Sequence, residues 1–387
     1  MEFIDLKLQQ AQLTSTGLTL RKNIEQRIKN VLDHGKYILG PEVTELEQKL
    51  AKFVGVDHCI AISSGTDALL ASLIALGIKK DDEIITTPFS FFSTVETILL
   101  LGAVPVFVDI DPKTYNLNPY EILSAITKKT KAIIPVSLYG QPADFTEINK
   151  VAKSYQIPVI EDGAQSFGST HNNNKSGALS TIGATSFFPS KPLGGYGDGG
   201  ACFTNDKVLA KRIRQISLHG QSKRYQHEMI GINGRLDTIQ AAIIIAKLEL
   251  FDEEVKARQI IGNRYTTELN KLGFWETPFI ASNNTSVYAQ YTIQVDDRDE
   301  IIKRLIDKGI PTSVHYPYLM CEQDALLEKF NPKKGFLKKF FGKKLFKSFH
   351  ITNAKKVSKR VLSLPIHPNL SEDDQNLIIK SLLAVLK

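Results

Sequence analysis

One lysine lies in a part of the chain whose composition could make its amine reactive. Lys191 follows the largely apolar segment 185–190 and precedes the glycine-rich segment 194–200. Few side chains would surround its ammonium group, and partial removal from water lowers the pKa of a lysine. Such a lysine is a candidate nucleophile that forms a Schiff base with an aldehyde. The alternative is a surface lysine whose alkyl chain lies along the protein while its charge reaches water.

A carboxylate at the end of a predicted strand complements this lysine. Asp162 closes the apolar segment 157–162, in which we predict a buried strand over 159–162. Pyridoxal phosphate requires an amine for its aldehyde carbon and an acid that keeps its ring nitrogen protonated, and the two residues would supply both. The alternative for Asp162 is a residue that caps the turn after the strand.

A third segment could hold the phosphate of such a cofactor. Residues 63–68 join a predicted strand to a predicted helix. Gly65 allows close approach of the backbone, and the free N–H groups of a helix start, with the Thr66 hydroxyl, can bind an anion. The alternative is a simple helix cap formed by Ser64 or Asp67. Each alternative is preferable in isolation, but the three segments together favour a cofactor site.

Other motifs in the sequence exclude some kinds of site. The segment 195–200 matches the dinucleotide-binding pattern G-x-G-x-x-G, but residues 201–204 predict a strand where that pattern requires a helix. His219 and His315 could be hydrogen-bonded structural histidines or ligand-binding groups. No pair of histidines has the spacing of a metal site, so we expect no metal.

Length and composition indicate a folded protein of the cytoplasm. The chain has 387 residues, which exceeds what one hydrophobic core accommodates, so we expect two domains. No apolar run reaches the length of a membrane span, and the N-terminus does not resemble a secretory signal. The three cysteines are widely scattered, which predicts neither disulfides nor a zinc site and suits a reducing compartment.

The net charge of +7 is concentrated in one segment. Residues 332–350 contain seven lysines and no acid, so the remaining surface gives no argument for nucleic-acid binding. Leu337, Phe341, Leu345 and Phe349 recur every four residues within it. This spacing could form a basic amphipathic helix that makes weak contact with an anionic membrane. We favour the alternative, a helix that packs its apolar stripe on its own domain.

The order of predicted elements indicates an α/β fold. Short apolar strands alternate with helices from residue 58 to residue 162, which predicts a mainly parallel sheet covered on both faces, with ligands at the carboxyl ends of the strands. One long helix predicted over 236–258 leads to a smaller α+β domain. Its strands are predicted over 287–295 and 312–315, and its final helix over 372–386.

Four motifs of the chain occur together in one known enzyme family. They are Gly65-Thr-Asp-Ala, Glu161-Asp-Gly-Ala-Gln, Ser186-Phe-Phe-Pro-Ser-Lys and Gly231-Ile-Asn-Gly-Arg-Leu-Asp-Thr-Ile-Gln-Ala. With them the chain resembles the nucleotide-sugar aminotransferases, which are fold-type I, pyridoxal-phosphate-dependent enzymes of the aspartate aminotransferase superfamily. The similarity runs from Ile4 to Tyr318 and resumes at Val361. The stretches around Lys191 and His219 are most similar to the 3-aminotransferases that act on UDP-2-acetamido-2-deoxy-3-oxo-glucuronate.

The resemblance implies a domain organisation and a reaction. A large cofactor-binding domain, 1–250, would contain a mainly parallel seven-stranded sheet, and a smaller α+β domain, 251–387, would carry the basic insert at 332–350. A cytoplasmic enzyme would transfer an amino group from L-glutamate, through pyridoxamine phosphate, to C3 of that keto-sugar nucleotide. Its product would serve the synthesis of cell-surface polysaccharide such as the O-antigen of lipopolysaccharide.

Alternative functions remain open at this point. The acceptor could be a 3-keto or 4-keto 6-deoxyhexose on UDP or dTDP. Dehydratases of the same fold replace the cofactor-binding lysine with histidine, so Lys191 argues against dehydration. A protein of a different class, a regulator or a membrane-associated protein without enzymatic activity, is disfavoured by the intact set of Lys191, Asp162 and Gln165.

The resemblance also assigns roles to individual residues. Lys191 binds the cofactor aldehyde and acts as the catalytic base, Asp162 pairs with the pyridinium nitrogen, Gln165 contacts the ring hydroxyl, and Phe91 stacks on the ring. Gly65, Thr66 and Ser186 hold the phosphate. Asn233 reaches the phosphate in a neighbouring subunit, so the active enzyme would be a homodimer with shared sites. The residues that contact substrate are His219, Arg235, His315 and Tyr316.

Overall fold

Helices and strands alternate along most of the chain in the computed structural model, which describes residues 2–15, 17–326, 347–348 and 350–386. The helices are α1 Leu6–Gln9, α2 Leu20–His34, α3 Pro41–Val54, α4 Gly65–Ala75, α5 Ser93–Leu100, α6 Pro119–Ala125, α7 Phe145–Ser154, α8 Lys207–Ser217, α9 Thr238–Leu248, α10 Phe251–Lys271, α11 Arg298–Asp307, α12 Asn353–Ser358 and α13 Glu372–Leu386. The strands are β1 His58–Ile62, β2 Glu83–Thr86, β3 Val104–Phe107, β4 Thr130–Ile134, β5 Ile160–Asp162, β6 Thr170–His171, β7 Asn174–Lys175, β8 Ile182–Ser186, β9 Gly200–Thr204, β10 Gln221–Lys223, β11 Gln226–His227, β12 Tyr291–Gln294, β13 Lys347–Ser348 and β14 Val361–Leu364.

Seven strands form the main sheet in the order β3-β2-β4-β5-β8-β9-β1. Strands β4 and β5 are joined by two parallel bridges, Ile133 with Val159 and Val136 with Asp162. Only β9 runs antiparallel to its neighbours, β8 and β1. The short strand β13 adds to the outer edge of β3. The predicted fold class, an α/β fold with a mainly parallel seven-stranded sheet, is confirmed.

Both faces of this sheet are covered by helices. On β1, Ile60 and Ile62 pack into a hydrophobic cluster with α4 and α8, whereas Cys59 and Ala61 pack into a second cluster with α3 and α9. A strand that is buried on both faces reads as a continuous apolar run, which is why these strands could be recognised from the sequence.

Local sequence sets the ends of the helices that flank the sheet. The side chains of Ser64, Asp144 and Asp206 accept hydrogen bonds from the first-turn N–H groups of α4, α7 and α8. Helices α2 and α3 end at Gly35 and Gly55, both in the left-handed conformation that glycine adopts readily. The residues between a strand end and the next helix therefore have a defined position.

The C-terminal part of the chain forms a second layer of structure. Strands β12 and β14 pair antiparallel, and a hydrophobic cluster joins this two-stranded sheet to α10, α11 and α13. Tyr265 of α10 lies within 4.8 Å of Tyr291 of β12, measured between ring centroids. The division into domains 1–250 and 251–387 stays a prediction.

Three predictions of local structure were wrong. The long helix predicted over 236–258 is two helices, because α9 ends at Leu248 and a new helix starts at Phe251 with an acidic first turn. The strand predicted over 287–295 is confined to β12, because the N–H groups of Val287 and Gln290 bond to Gly140 and Tyr139 instead of to a strand. The segment 312–315 forms only a single bridge, between Ser313 and Ser363.

The predicted amphipathic helix within 332–350 lies almost entirely outside the described residues. Lys347 and Ser348, near its end, form β13 rather than a helical turn. In the part of the chain that the structure describes, no helix has both the length and the apolar character needed to cross a membrane.

Candidate active site

A cavity of about 490 Å³ opens at the carboxyl ends of the parallel strands. Asp162 and Ser186 are the last residues of β5 and β8, and the α4 start follows the end of β1. The cavity brings together nine of the twelve predicted site residues. They are Gly65, Thr66, Phe91, Asp162, Gln165, Ser186, Lys191, His315 and Tyr316.

Lys191 lies at the wall of this cavity, in the turn that follows β8. Its backbone N–H donates to the Phe188 carbonyl at 2.8 Å, and its side chain is partly buried. Burial lowers the pKa of Lys191, while the nearby negative charge of Asp162 acts in the opposite direction. The amine is therefore easier to deprotonate than that of a solvent-exposed lysine, as a Schiff-base nucleophile requires.

Asp162 is 5% exposed and is held by two hydrogen bonds. The Thr94 hydroxyl donates to Oδ2 at 2.8 Å, and the Ala164 N–H donates to Oδ1 at 3.3 Å. Burial raises the pKa of Asp162, whereas the two hydrogen bonds and the charge of Lys191 lower it. A cation placed against a buried carboxylate stabilises its charged form, and a protonated ring nitrogen would be such a cation.

Glu161 lies beside Asp162 on β5 and is fully buried. It accepts hydrogen bonds from the Ser176 hydroxyl at 2.5 Å and from the Gly177 N–H at 2.8 Å. Burial raises the pKa of Glu161 to about 7, and the charge of Asp162 adds to this effect. Glu161 is therefore a second buried acid beside Asp162, and it titrates near neutral pH.

Gln165 is fixed by two neighbours on opposite sides of its amide. The Tyr139 N–H donates to Gln165 Oε1 at 2.8 Å, and Gln165 Nε2 donates to the Tyr316 hydroxyl at 3.1 Å. Burial raises the pKa of Tyr316, so its hydroxyl stays protonated. The amide therefore has one orientation in the cavity.

The start of α4 borders the cavity with groups that could bind an anion. The Ser64 side chain caps the helix by accepting from the Asp67 N–H at 3.0 Å, while Gly65 and Thr66 line the cavity. A Cβ atom on Gly65 would lie 2.7 Å from Cβ of Ser186, so only glycine lets these two segments meet. The cap and the anion site, which were alternatives in the sequence, are thus compatible, and the unpaired N–H groups of the first turn remain for a phosphate.

Aromatic side chains form another wall of the cavity. Phe91 and Phe188 both line it and are half-exposed. The ring of Phe91 lies 6.3 Å from that of Tyr316, between centroids. An apolar wall next to Asp162 and Lys191 suits the face of a planar ring.

His315 lines the cavity and is held by Ser363. Its Nδ1 lies 3.2 Å from the Ser363 hydroxyl, and its backbone carbonyl accepts from the Tyr139 hydroxyl. Burial lowers the pKa of His315 to about 4, and the charge of Lys191 contributes. The imidazole is therefore neutral at pH 7 and has one N–H to donate.

Three predicted site residues lie outside the cavity of their own chain. His219 is exposed, and its N–H donates to the Ile232 carbonyl at 3.0 Å. Asn233 is exposed as well, and Arg235 is half-buried with an unpaired Nε. The Asn233–Arg235 segment lies along the end of β1, with which Arg235 forms a bridge.

Sequence reasoning missed several residues of the site. Thr94 is 68 positions from Asp162 in the chain, and nothing in its local sequence indicates that contact. Gln290 lines the cavity from a segment that was predicted only as a strand. Phe188 lies within the motif around Lys191. Its apolar neighbours suggested a buried side chain, so its place on the cavity wall was not predicted. The described residues contain no group of histidine, cysteine or carboxylate side chains that could hold a metal ion.

This geometry accommodates pyridoxal phosphate, with an amine, an acid, an anion pocket and an apolar wall around one cavity. Residues 18–383 match the DegT/DnrJ/EryC1/StrS aminotransferase family. The chain belongs to this family. The predictions of a fold-type I fold, of aminotransferase activity and of pyridoxal phosphate dependence are thereby confirmed.

Several known proteins are similar to nearly the whole chain. A UDP-2-acetamido-2-deoxy-3-oxo-D-glucuronate aminotransferase of Pseudomonas aeruginosa is 50% identical over 99% of both chains. A pleiotropic regulatory protein of Geobacillus stearothermophilus is 38% identical over 94% of both. Among solved structures, NtdA of Bacillus subtilis with bound cofactor PMP has a TM-score of 0.84 and 30% identity, covering 97% of this chain and 83% of its own.

Proposed function

We propose that the protein transfers the amino group of L-glutamate to C3 of UDP-2-acetamido-2-deoxy-3-oxo-glucuronate. The observation that carries the proposal is the placement of Lys191 and Asp162 in one cavity, each with a pKa moved by burial. The 50% identical relative supports the choice of substrate over the alternative, a 3-keto or 4-keto 6-deoxyhexose on UDP or dTDP. The product would enter cell-surface polysaccharide of the O-antigen type.

Pyridoxal phosphate supplies, when bound, an aldehyde for the amine and a ring that accepts electrons. Lys191 Nζ would hold the cofactor through its aldehyde carbon, and its free amine would move the proton that leaves the substrate Cα. Asp162, which accepts a hydrogen bond from Thr94, would keep a proton on the ring nitrogen. A neutral ring would be a poor electron acceptor, so both residues are required for turnover.

The remaining cavity residues position the two substrates and the cofactor. Gly65, Thr66 and Ser186 line the cavity and would bind the phosphate. Gln165 would contact the ring hydroxyl, and Phe91 would cover the ring. His315 and Tyr316, both neutral at pH 7, would donate hydrogen bonds to the substrate.

We further propose that the active protein is a homodimer with shared sites. His219, Asn233 and Arg235 do not line the cavity of their own chain, and Asn233 and His219 are exposed. Asn233 of one copy would reach the cofactor phosphate in the cavity of the other copy. The Arg235 guanidinium would pair with the carboxylate that glutamate and a glucuronate have in common.

The proposed enzyme is cytoplasmic, where nucleotide sugars and reducing conditions are found together. Its three cysteines are buried and unpaired, which agrees with that compartment. A weak contact of segment 332–350 with anionic lipid stays part of the prediction. A regulator without enzymatic activity, which the name of one relative suggests, would have no need of Lys191, Asp162 and Gln165 around one cavity.

A panel of keto-sugar nucleotides tests the substrate. Each is incubated with the holoenzyme and L-glutamate, and 2-oxoglutarate is measured. We expect the fastest release with UDP-2-acetamido-2-deoxy-3-oxo-glucuronate. Faster release with a dTDP-linked 6-deoxyhexose would contradict the substrate, and absence of release with every member of the panel would contradict the aminotransferase.

A further inference from the structure

Two glutamines, Gln165 and Gln290, line the cavity, and their side-chain amides differ in hydrogen bonding. Gln290 also borders a smaller cavity next to Tyr139. Both ends of the Gln165 amide are engaged, by Tyr139 and by Tyr316. The side-chain oxygen of Gln290, Oε1, is buried and has no hydrogen-bond partner among the residues that the structure describes. A buried carbonyl oxygen without a donor is costly and uncommon in folded proteins, so this atom is suited to a ligand donor.

The backbone holds Gln290 close to the cofactor-binding part of the cavity. The Gln290 N–H donates to the Tyr139 carbonyl at 3.4 Å, and the N–H of the same tyrosine donates to Gln165. One residue therefore links the two glutamines. This link explains why the segment before β12 leaves strand geometry, which sequence reasoning did not anticipate.

The chemistry of the two substrates decides which one could satisfy this oxygen. The carboxylates of glutamate only accept hydrogen bonds, and its amine is consumed in the reaction with the cofactor. A 2-acetamido hexuronate nucleotide offers hydroxyl groups and an amide N–H as donors. The oxygen of Gln290 can therefore be satisfied by the sugar and not by glutamate.

We infer that Gln290 is a specificity-determining residue for the sugar half-reaction, whose Oε1 accepts a hydrogen bond from a hydroxyl or an amide N–H of the nucleotide sugar. The inference rests on the proposed function, because it requires a sugar in this cavity. A site that contains a buried acceptor selects strongly for a substrate that supplies the matching donor. Gln290 would thus help one cavity accept two unlike substrates in turn.

The test compares both half-reactions in the holoenzyme and in two variants. Gln290→Met keeps the length of the side chain and removes the acceptor. Gln294→Met is the matched control, because Gln294 lies on β12 and bonds to Tyr115 and Arg360 outside the cavity. L-glutamate and the aminated sugar nucleotide each convert the bound cofactor to pyridoxamine phosphate, which is followed by absorbance.

We expect Gln290→Met to lower kcat/KM for the aminated sugar nucleotide about tenfold, equivalent to about 1.4 kcal/mol, and to change that for glutamate less than about twofold. The spectrum of the bound cofactor should not change, and Gln294→Met should resemble the wild type in both half-reactions. Equal losses with both substrates, or no loss with the sugar, would overturn the inference and leave the proposed function intact. A wild type that reacts with glutamate and with no aminated sugar nucleotide would overturn both.

Discussion

Glu161 should make the protein less stable as the pH rises toward neutrality. Its carboxyl group is fully buried, and burial raises its pKa to about 7 from an ordinary value of 4.5. A raised pKa in the folded state means that folding favours the protonated form. The stabilisation is complete below pH 4.5 and is lost as the pH rises through 7. A difference of about 2.5 pKa units corresponds to about 3.4 kcal/mol, at 1.36 kcal/mol per unit.

The change Glu161→Gln removes the titration. Its one amide oxygen can accept from the Gly177 N–H, and its NH2 group can donate to the Ser176 hydroxyl oxygen, as a protonated carboxyl would. We expect the free energy of unfolding of the wild type to fall by about 2.5 kcal/mol between pH 5 and pH 8, relative to that of the variant. This value follows from the pKa values of Glu161 in the folded and unfolded states. Urea denaturation of the apoprotein at the two pH values measures this difference. The control Glu300→Gln changes an exposed carboxyl of α11 and should retain the wild-type pH dependence. Equal differences between wild type and Glu161→Gln at both pH values would refute the reasoning.

Three further predictions concern the cavity and its assembly. Thr94→Val removes the hydroxyl that holds Asp162 and should slow the glutamate half-reaction about tenfold, corresponding to about 1.4 kcal/mol. The control is Thr97→Val, which removes a hydroxyl that bonds to the Thr94 carbonyl and should leave the rate near that of the wild type. Asp162→Ala should lower turnover by orders of magnitude, and a loss below about tenfold, measured by 2-oxoglutarate release, would count against its pairing with the ring nitrogen. Lys191→Ala and Asn233→Ala should each be inactive alone. When the two variants are unfolded and refolded together, we expect about a quarter of wild-type activity, because half of the dimers would contain one intact site. No recovery in the mixture would place Asn233 in the site of its own chain.

The sequence predicted the residues whose chemistry is encoded by neighbours in the chain. Asp162 ends a predicted strand, Gly65 follows one, and Lys191 follows an apolar segment; the carboxyl ends of parallel strands meet at one edge of a sheet. The alternation of apolar strands with helices predicted the sheet and its covering helices. For this reason the cofactor site could be predicted before its geometry was known.

Contacts between distant segments could not be predicted in the same way. Thr94 bonds to Asp162, and Gln290 joins the cavity because the loop at Tyr139 takes its backbone N–H. Neither contact leaves a periodic or compositional signal. The break between α9 and α10 did have a signal, the acidic residues 252–254, but the apolar run before them suggested a continuous helix.

The positions of His219, Asn233 and Arg235 illustrate a further limit. They were recognised by resemblance, yet in the structure they lie outside the cavity. Arg235 pairs with the end of β1, and the His219 N–H bonds to Ile232. The sequence of one chain does not specify which copy a surface residue serves. Their roles therefore depend on the mixed-dimer measurement.

The identity of the lysine that carries the cofactor tests the account most directly. Holoenzyme is reduced with borohydride, digested and analysed by mass spectrometry, with Lys191→Ala treated in parallel. We expect the reduced cofactor on the peptide that contains Lys191 and on no peptide of the variant. A reduced cofactor on any other lysine, or on none, would contradict the central claim.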